Sequence, residues 1–125
     1  MITQGRITTS TITTPTRIYT SSQTGAVIGG GNLGQNSAIT TIMLCNTGTP
    51  DPSDESVDLA NVNIYLVKNT QSATVNNIVV NRLPVPAGET VFFSEERIIL
   101  DSGDSVWVGA DAANLITVTV SSLPV

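Results

Sequence analysis

The hydrophobic residues of this chain occur in short β-branched runs that Gly, Pro, Asn and Asp separate. The clearest alternation lies in residues 62–68, where Val62, Ile64 and Leu66 are expected to face inward, which predicts a half-buried strand. Residues 38–46 form an almost continuous apolar run and predict a more deeply buried strand. Helical periodicity is not evident in the chain. The other expected strands cover residues 16–20 and 78–83 and three runs within 83–125.

The C-terminal third contains three β-branched or aromatic runs separated by turn residues, a spacing typical of an antiparallel meander. The sequence Asp101-Ser102-Gly103-Asp104 predicts a tight hairpin turn between two of these runs. About eight short strands at such spacings indicate an all-β fold, a single antiparallel β-sandwich that is jelly-roll-like. The order in which the strands pair does not follow from the sequence.

The N-terminal segment, residues 1–14, is rich in Thr and poor in large apolar residues. Apart from Met1, these are Ile2, Ile7 and Ile12. The spacing of Ile7 and Ile12 breaks strict alternation, and Pro15 interrupts the segment. The pattern predicts an extended arm or peripheral strand over 1–14 and a sandwich domain over 15–125, so that deletion of 1–14 leaves a folded domain.

Composition narrows the possible functions. The net charge is −5, and the five basic residues are scattered, which argues against a nucleic-acid-binding surface. Charged residues make up only 12% of the chain, while Thr occurs eighteen times. A surface with so few charges is poor at keeping copies apart, although Thr is also an ordinary strand residue on a solvated face. We therefore expect self-association or docking onto a partner.

Cys45 is the only cysteine, so no intrachain disulfide can form, and its place in an apolar run predicts a small buried side chain. The N-terminus lacks the apolar core of a signal peptide, and no run approaches the ~20 apolar residues of a membrane span. The sequence is that expected of a protein made in the cytoplasm, without a membrane partner, that stays soluble until it assembles.

Several motifs resemble chemical sites but lack the necessary context. Gly29–Gly34 matches a dinucleotide-binding pattern, yet a strand-like sequence follows it instead of a helix, so a flexible loop that a partner orders is the better interpretation. The acidic loop with Asp51, Asp54, Glu55 and Asp58 lacks EF-hand spacing and is expected to be solvated, with a cation site as the weaker alternative.

Catalytic chemistry finds little support in the composition. The chain has no histidine, which removes the commonest general base, and only 4% of its residues are aromatic, too few for an obvious sugar-stacking platform. No catalytic, cofactor-binding or metal-binding residues are predicted, and no cofactor. The expectation is that the protein is not an enzyme.

Five segments together resemble small β-sandwich virion structural proteins of tailed bacteriophages, of the kind found in marine and cyanobacterial phages. The segments are Ile18–Thr20, Ile42–Asn46, Val62–Val67, Val85–Thr90 and Leu100–Ser105. The resemblance is one of pattern and spans residues 16–125. It implies a non-enzymatic role in a capsid or tail, as a decoration, cement, neck or tail accessory protein, in many copies and commonly as a trimer with other virion proteins as partners.

The candidate interface residues follow from the same reasoning. Ile2, Ile7 and Ile12 are assigned to the arm. Phe92 and Phe93 are adjacent on a strand, so that one of them must face away from the core and is expected at a subunit contact. The alternative function is a receptor- or carbohydrate-binding tip domain of a tail fibre. The expected location is the virion, after synthesis in the host cytoplasm.

Overall fold

The computed structural model describes residues 1–21, 27–28, 31–32, 36–94 and 97–125, which form β-strands and one short 3-10 helix at Val75–Asn77. The strands are β1 (Ile2–Arg6), β2 (Thr16–Thr20), β3 (Val27–Ile28), β4 (Gly31–Asn32), β5 (Ser37–Asn46), β6 (Ala60–Val67), β7 (Ile78–Val85), β8 (Thr90–Phe93), β9 (Ile98–Leu100), β10 (Ser105–Ala110) and β11 (Ile116–Pro124). The flexible loop predicted over Gly29–Gly34 lies outside the described residues except for β4.

Two antiparallel sheets pack against each other. The larger sheet has the order β1-β11-β5-β8, and β9 also pairs with β5. The smaller sheet has the order β2-β10-β6-β7, while β3 and β4 pair with each other separately. The all-β class and the antiparallel sandwich predicted from the sequence are therefore confirmed.

The core lies between the two sheets and consists of alternate residues of their strands. From β11 of the larger sheet it takes Ile116, Val118 and Val120, all fully buried. From β10 of the smaller sheet it takes Val106, Val108 and Ala110. Burying a Val, Leu or Ile side chain contributes about 1.5–3 kcal/mol relative to leaving it exposed, so the alternating strands of both sheets hold the sandwich together.

The N-terminal segment contributes to this core. All five residues of β1 pair with β11, and Ile7, which follows β1, is 0% exposed. The Ile7 amide donates to the Ile116 carbonyl oxygen at 2.9 Å, and the Asn114 amide donates to the Ile7 carbonyl oxygen at 2.9 Å. The expectation that residues 1–14 stay out of the core is wrong for Ile7, because its burial depends on the pairing of β1 with β11, which the spacing of residues within 1–14 does not specify. The division of the chain at residue 14 stays a prediction.

Residues 8–15 then pass over the outside of the smaller sheet. Ile12 is 6% exposed there, and the Tyr65 hydroxyl donates to the Ile12 carbonyl oxygen at 3.2 Å. A Cβ atom on Gly109 of β10 would collide with that same carbonyl oxygen, so the chain can cross at this distance only because position 109 is glycine. Ile12 is buried by its own chain, which corrects its assignment to an arm.

This crossing also changes the environment of β6. Val62 and Ile64 are buried as predicted, but Leu66 is only half-buried. The residues expected to be on its open face are buried too, namely Asn63, Tyr65 and Val67. The strand predicted to be half-buried is thus buried on both sides. At Asn63 and Tyr65 the reason is that Ile12 and Thr13 of the N-terminal segment lie on the face that the pattern assigned to solvent.

The predicted C-terminal meander is wrong. The strands β8 and β9 both pair with β5, β10 joins the smaller sheet, and β11 lies between β1 and β5. A turn does form at residues 101–104, with Gly103 at φ +90° and the Asp104 amide donating to the Asp101 carbonyl oxygen at 3.0 Å. It carries the chain from the larger to the smaller sheet instead of closing a hairpin. The prediction of a hairpin failed because alternation determines which side chains are buried and not which strands pair.

Candidate interaction surface

The five predicted interface residues differ in how far the structure exposes them to solvent. Ile2 and Phe92 are exposed, at 67% and 61%. Ile7 and Ile12 are buried within the chain, so neither side chain is available to a partner. Phe93 is half-buried and packs against the core, which leaves Phe92 as the member of the aromatic pair that faces away from the core.

Ile2 and Phe92 lie on the same side of the larger sheet. Because directly paired residues of neighbouring strands point to the same face, the register connects Phe92 through Met43 and Thr119 to Gln4. Ile2 belongs to the next row on that face. We call this surface the outer face, and its residues are Ile2, Gln4, Arg6, Ala38, Thr41, Met43, Cys45, Thr90, Phe92, Ile99, Thr117, Thr119, Ser121 and Leu123.

The outer face exposes several large apolar side chains to solvent. Ile99 is 58% exposed and Leu123 is 55% exposed, and both are paired with Ala38 in one row. With Ile2 and Phe92 they make four exposed large apolar side chains on one face of one sheet. Phe92 and Ile99 lie at one margin of the face and Ile2 lies at the opposite margin. Large apolar side chains that are exposed together on one sheet face make it a candidate interaction site.

The same face carries almost no charge. Arg6, at one corner, is the only charged side chain among the outer-face residues, and its guanidinium donates to the Asn114 carbonyl oxygen at 2.5 Å. The remaining positions are Thr, Ser, Gln and small or apolar residues. An exposed sheet face without lysine or acidic residues has none of the charges that usually oppose association between sheets.

Cys45 lies on this face between Thr117 and Thr90 and is half-buried. The sequence predicted a buried thiol, and this prediction is wrong because the apolar run of β5 alternates between the core and the outer face. Neither composition nor motif identified the outer face as a unit. Only the strand order brings β1, β9 and β11 together.

An apolar groove opens next to the outer face, between the edge strands of the two sheets. Its volume is about 440 Å³, and its walls come from β5, β6, β7, β8 and β9. It is lined by Ile42, Ile64, Leu66, Val79, Val80, Phe92, Phe93, Ser94 and Ile98. Phe92 therefore belongs to both surfaces. Glu95 and Glu96 lie outside the described residues.

The acidic loop between β5 and β6 forms one wall of a polar cavity of about 280 Å³. Two of its carboxylates accept hydrogen bonds within the loop. Asp51 accepts from the Ser53 amide at 2.9 Å and from the Ser53 hydroxyl at 2.8 Å. Asp54 accepts from the amide and the hydroxyl of Ser56 in the same way. These hydrogen bonds lower the pKa of both carboxyl groups. The carboxylates thus stabilise turns of a solvent-exposed loop.

A third cavity, of about 210 Å³, lies on the smaller sheet beside the N-terminal segment. The Arg82 amide donates to the Asn63 Oδ1 atom at 2.7 Å, and Asn63 Nδ2 donates to the Tyr65 hydroxyl at 3.2 Å. This buried chain of hydrogen bonds holds a bulge in β7, where Arg82 has φ +52°. The bulge places the polar side chains of Asn81 and Arg82 in the lining of this cavity.

Trp107 is half-buried on the outside of the smaller sheet. Its Nε1 donates to the Ser105 hydroxyl at 2.7 Å, and the Arg17 guanidinium lies 5.0 Å from the ring centroid. The cation covers one ring face, so the tryptophan is already engaged within its own chain.

Within the described part of the chain, no three or more Cys, Asp or Glu side chains cluster closely enough to hold a metal ion. The described residues also include no helix with the length and apolar character needed to cross a membrane. Comparison with known proteins gives no match to a family model, to a curated protein or to a solved structure.

Proposed function

We propose that this protein is a non-enzymatic structural component of a tailed-phage particle that docks through its outer face. The observation that carries the proposal is the outer face itself, where Ile2, Phe92, Ile99 and Leu123 are exposed and Arg6 is the only charged side chain among the described residues assigned to the face. A surface of this kind is stabilised when a partner covers it. Its position on a sheet, not in a cleft, fits a packing role better than a binding role for a small molecule.

The fold supports the same role. We propose that the sandwich is a jelly roll, since the chain alternates between the orders β1-β11-β5-β8 and β2-β10-β6-β7. This architecture is used by viral capsid proteins and also by lectins. Its buried alternating strands give a rigid platform that presents a flat face, and a capsid decoration, cement, neck or tail accessory protein has that requirement.

Mass spectrometry of purified phage particles tests the proposal. The chain should be present in mature particles at a stoichiometry of many copies, and it should stay with them through a density gradient. Its presence in the infected-cell lysate together with its absence from the purified particles would refute a virion role.

One observation favours the alternative, a carbohydrate- or receptor-binding tip domain. The cavity on the smaller sheet brings Thr13, Asn81 and Arg82 together, and hydroxyl, amide and guanidinium groups are those that hydrogen-bond sugar hydroxyls and carboxylates. Glycan-array binding by the isolated chain, lost on Arg82→Ala, would support this function. Binding that survives this substitution would place the glycan elsewhere.

A further inference from the structure

We infer that the partner of the outer face is a second copy of this chain, joined face to face about a two-fold axis. This inference rests on the proposed function, because it names the occupant of the same docking surface. Four properties of the outer face support it: its area, its charge, its uniqueness on the molecule and the placement of its apolar residues.

The area is that of a weak, reversible pair. The face contains five residues of β1, nine of β11, ten of β5 and seven of β8 and β9 together. At ~3.3 Å per residue and ~4.8 Å between strands each residue covers roughly 16 Å², so the face measures about 490 Å² per copy and about 980 Å² for two. Specific interfaces start at roughly 1,000 Å² in total and those below about 1,200 Å² are weak, so the two outer faces have the area of a weak pair.

Charge favours this face over any other for contact between identical copies. Each chain carries a net charge of −5, so two copies repel each other wherever their acidic loops meet. The acidic side chains among the described residues lie in turns and loops, at 51–58, 89, 101–104 and 111, and the outer face contains none of them. Contact through the outer face therefore places no carboxylate from the described part of one copy against a described carboxylate of the other.

The number of apolar patches determines the symmetry. A two-fold pair uses the same patch on both copies, whereas a cyclic trimer needs two different complementary patches on each. The other exposed large apolar residues of the described chain, the chain ends aside, are Val57, Val75 and Val79, which lie in the acidic loop, the 3-10 helix and β7. They form no second sheet face among the described residues. The apolar groove, which Val79 lines, adjoins the outer face and shares Phe92 with it, so the two together make one patch on one side of the molecule. One patch favours a pair over the trimer that the resemblance implies.

The arrangement within the face is self-complementary. Phe92 and Ile99 lie along one lateral margin, on β8 and β9, and Ile2 lies along the opposite margin, on β1. A two-fold axis that runs parallel to the strands, between β11 and β5, places each margin over the opposite margin of the other copy. Apolar residues then meet at both sides, and the threonines of β11 lie over β5 in the middle.

Sedimentation velocity of the purified chain tests the inference with two matched double variants. Phe92→Lys with Ile99→Lys puts two positive charges on the outer face. Val75→Lys with Val79→Lys makes the same change in charge at exposed valines on the smaller sheet and its loop, at 79% and 54% exposure. We expect the native chain and the valine variant to sediment as dimers at micromolar concentration, and the outer-face variant to dissociate at least about 100-fold more readily.

The thiol of Cys45 gives a second measurement in the native chain. It lies on the outer face, so maleimide should react with it more slowly as the concentration is raised and pairs form, and the outer-face variant should abolish this protection. A rate of maleimide reaction that is fast and does not change with protein concentration would contradict the inference. In the sedimentation experiment it would be contradicted by a monomer at high micromolar concentration, by a trimer, or by a dimer that only the valine variant disrupts.

The results also separate this inference from the proposed function. A chain that is monomeric in solution but present in purified particles would refute pairing and leave the virion role intact, with another particle protein covering the outer face. A dimer with the expected variant behaviour that is absent from particles would establish pairing and refute the virion role.

Discussion

Replacing Ile7 with alanine tests whether the N-terminal segment is part of the folded core. Ile7 is 0% exposed and packs in the cluster between the sheets, whereas Ile2, on the preceding strand β1, is 67% exposed. The two substitutions Ile7→Ala and Ile2→Ala remove the same atoms from sites of opposite burial. Any difference in their effect on stability therefore measures burial and not chemistry.

The magnitude follows from the atoms removed. Isoleucine to alanine deletes three carbon atoms, worth about 2.4 kcal/mol at ~0.8 kcal/mol per buried carbon, and the cavity left behind adds to this. We expect Ile7→Ala to reduce the free energy of unfolding by about 3 kcal/mol. For 125 residues the unfolding entropy is about 0.26 kcal/mol per kelvin, so the melting temperature should fall by about 11 °C. Ile2→Ala should cost less than about 0.5 kcal/mol.

Thermal and urea unfolding followed by far-UV circular dichroism provide the assay. Both variants are measured at a concentration at which sedimentation shows monomer, because Ile2 lies on the outer face and association would stabilise the native chain. Equal shifts of the two variants, both below about 2 °C, would refute the placement of Ile7 in the core and restore residues 1–14 as an arm. With Ile7 in the core, deletion of residues 1–14 should strongly destabilise the domain.

Two further predictions concern backbone crossing and pH. Gly109→Ala should destabilise the fold by about 1–3 kcal/mol, because the new methyl group meets the backbone carbonyl oxygen of Ile12. Gly5→Ala should cost less, since its methyl group meets only the movable end of the Ile18 side chain. The midpoints of urea unfolding compare the two variants. For Asp51 the folded pKa is lowered, so its stabilising effect is present above about pH 4 and is lost as the pH falls through the folded pKa. The Ser53 amide is the larger cause of this shift and the Ser53 hydroxyl the smaller, so Ser53→Ala, which removes only the hydroxyl, should raise the pKa part of the way towards its ordinary value in a carboxyl NMR titration. An unchanged pKa would contradict the contribution of the hydroxyl.

The sequence by itself determined the fold class of this protein. Alternating β-branched runs, separated by Gly, Pro, Asn and Asp, favour strands over helices and are typical of a sandwich or a small barrel, because the period of a strand is local information. The same local rule identified Val62 and Ile64 as core residues and one of Phe92 and Phe93 as outward-facing. Turn chemistry likewise placed a turn at residues 101–104, since Asp and Gly favour tight turns wherever the next strand goes.

Only the tertiary structure decided which strands are neighbours. The rows of the outer face join β1 to β11 and β11 to β5, across more than a hundred residues of sequence in the first case. No local period specifies such pairings, because any strand with a buried alternate face satisfies the pattern equally well. Ile7 and Ile12 were misassigned for this reason. Their burial depends on strands that arrive from the far end of the chain, and so does the assembly of Ile2, Phe92 and Ile99 into one exposed surface.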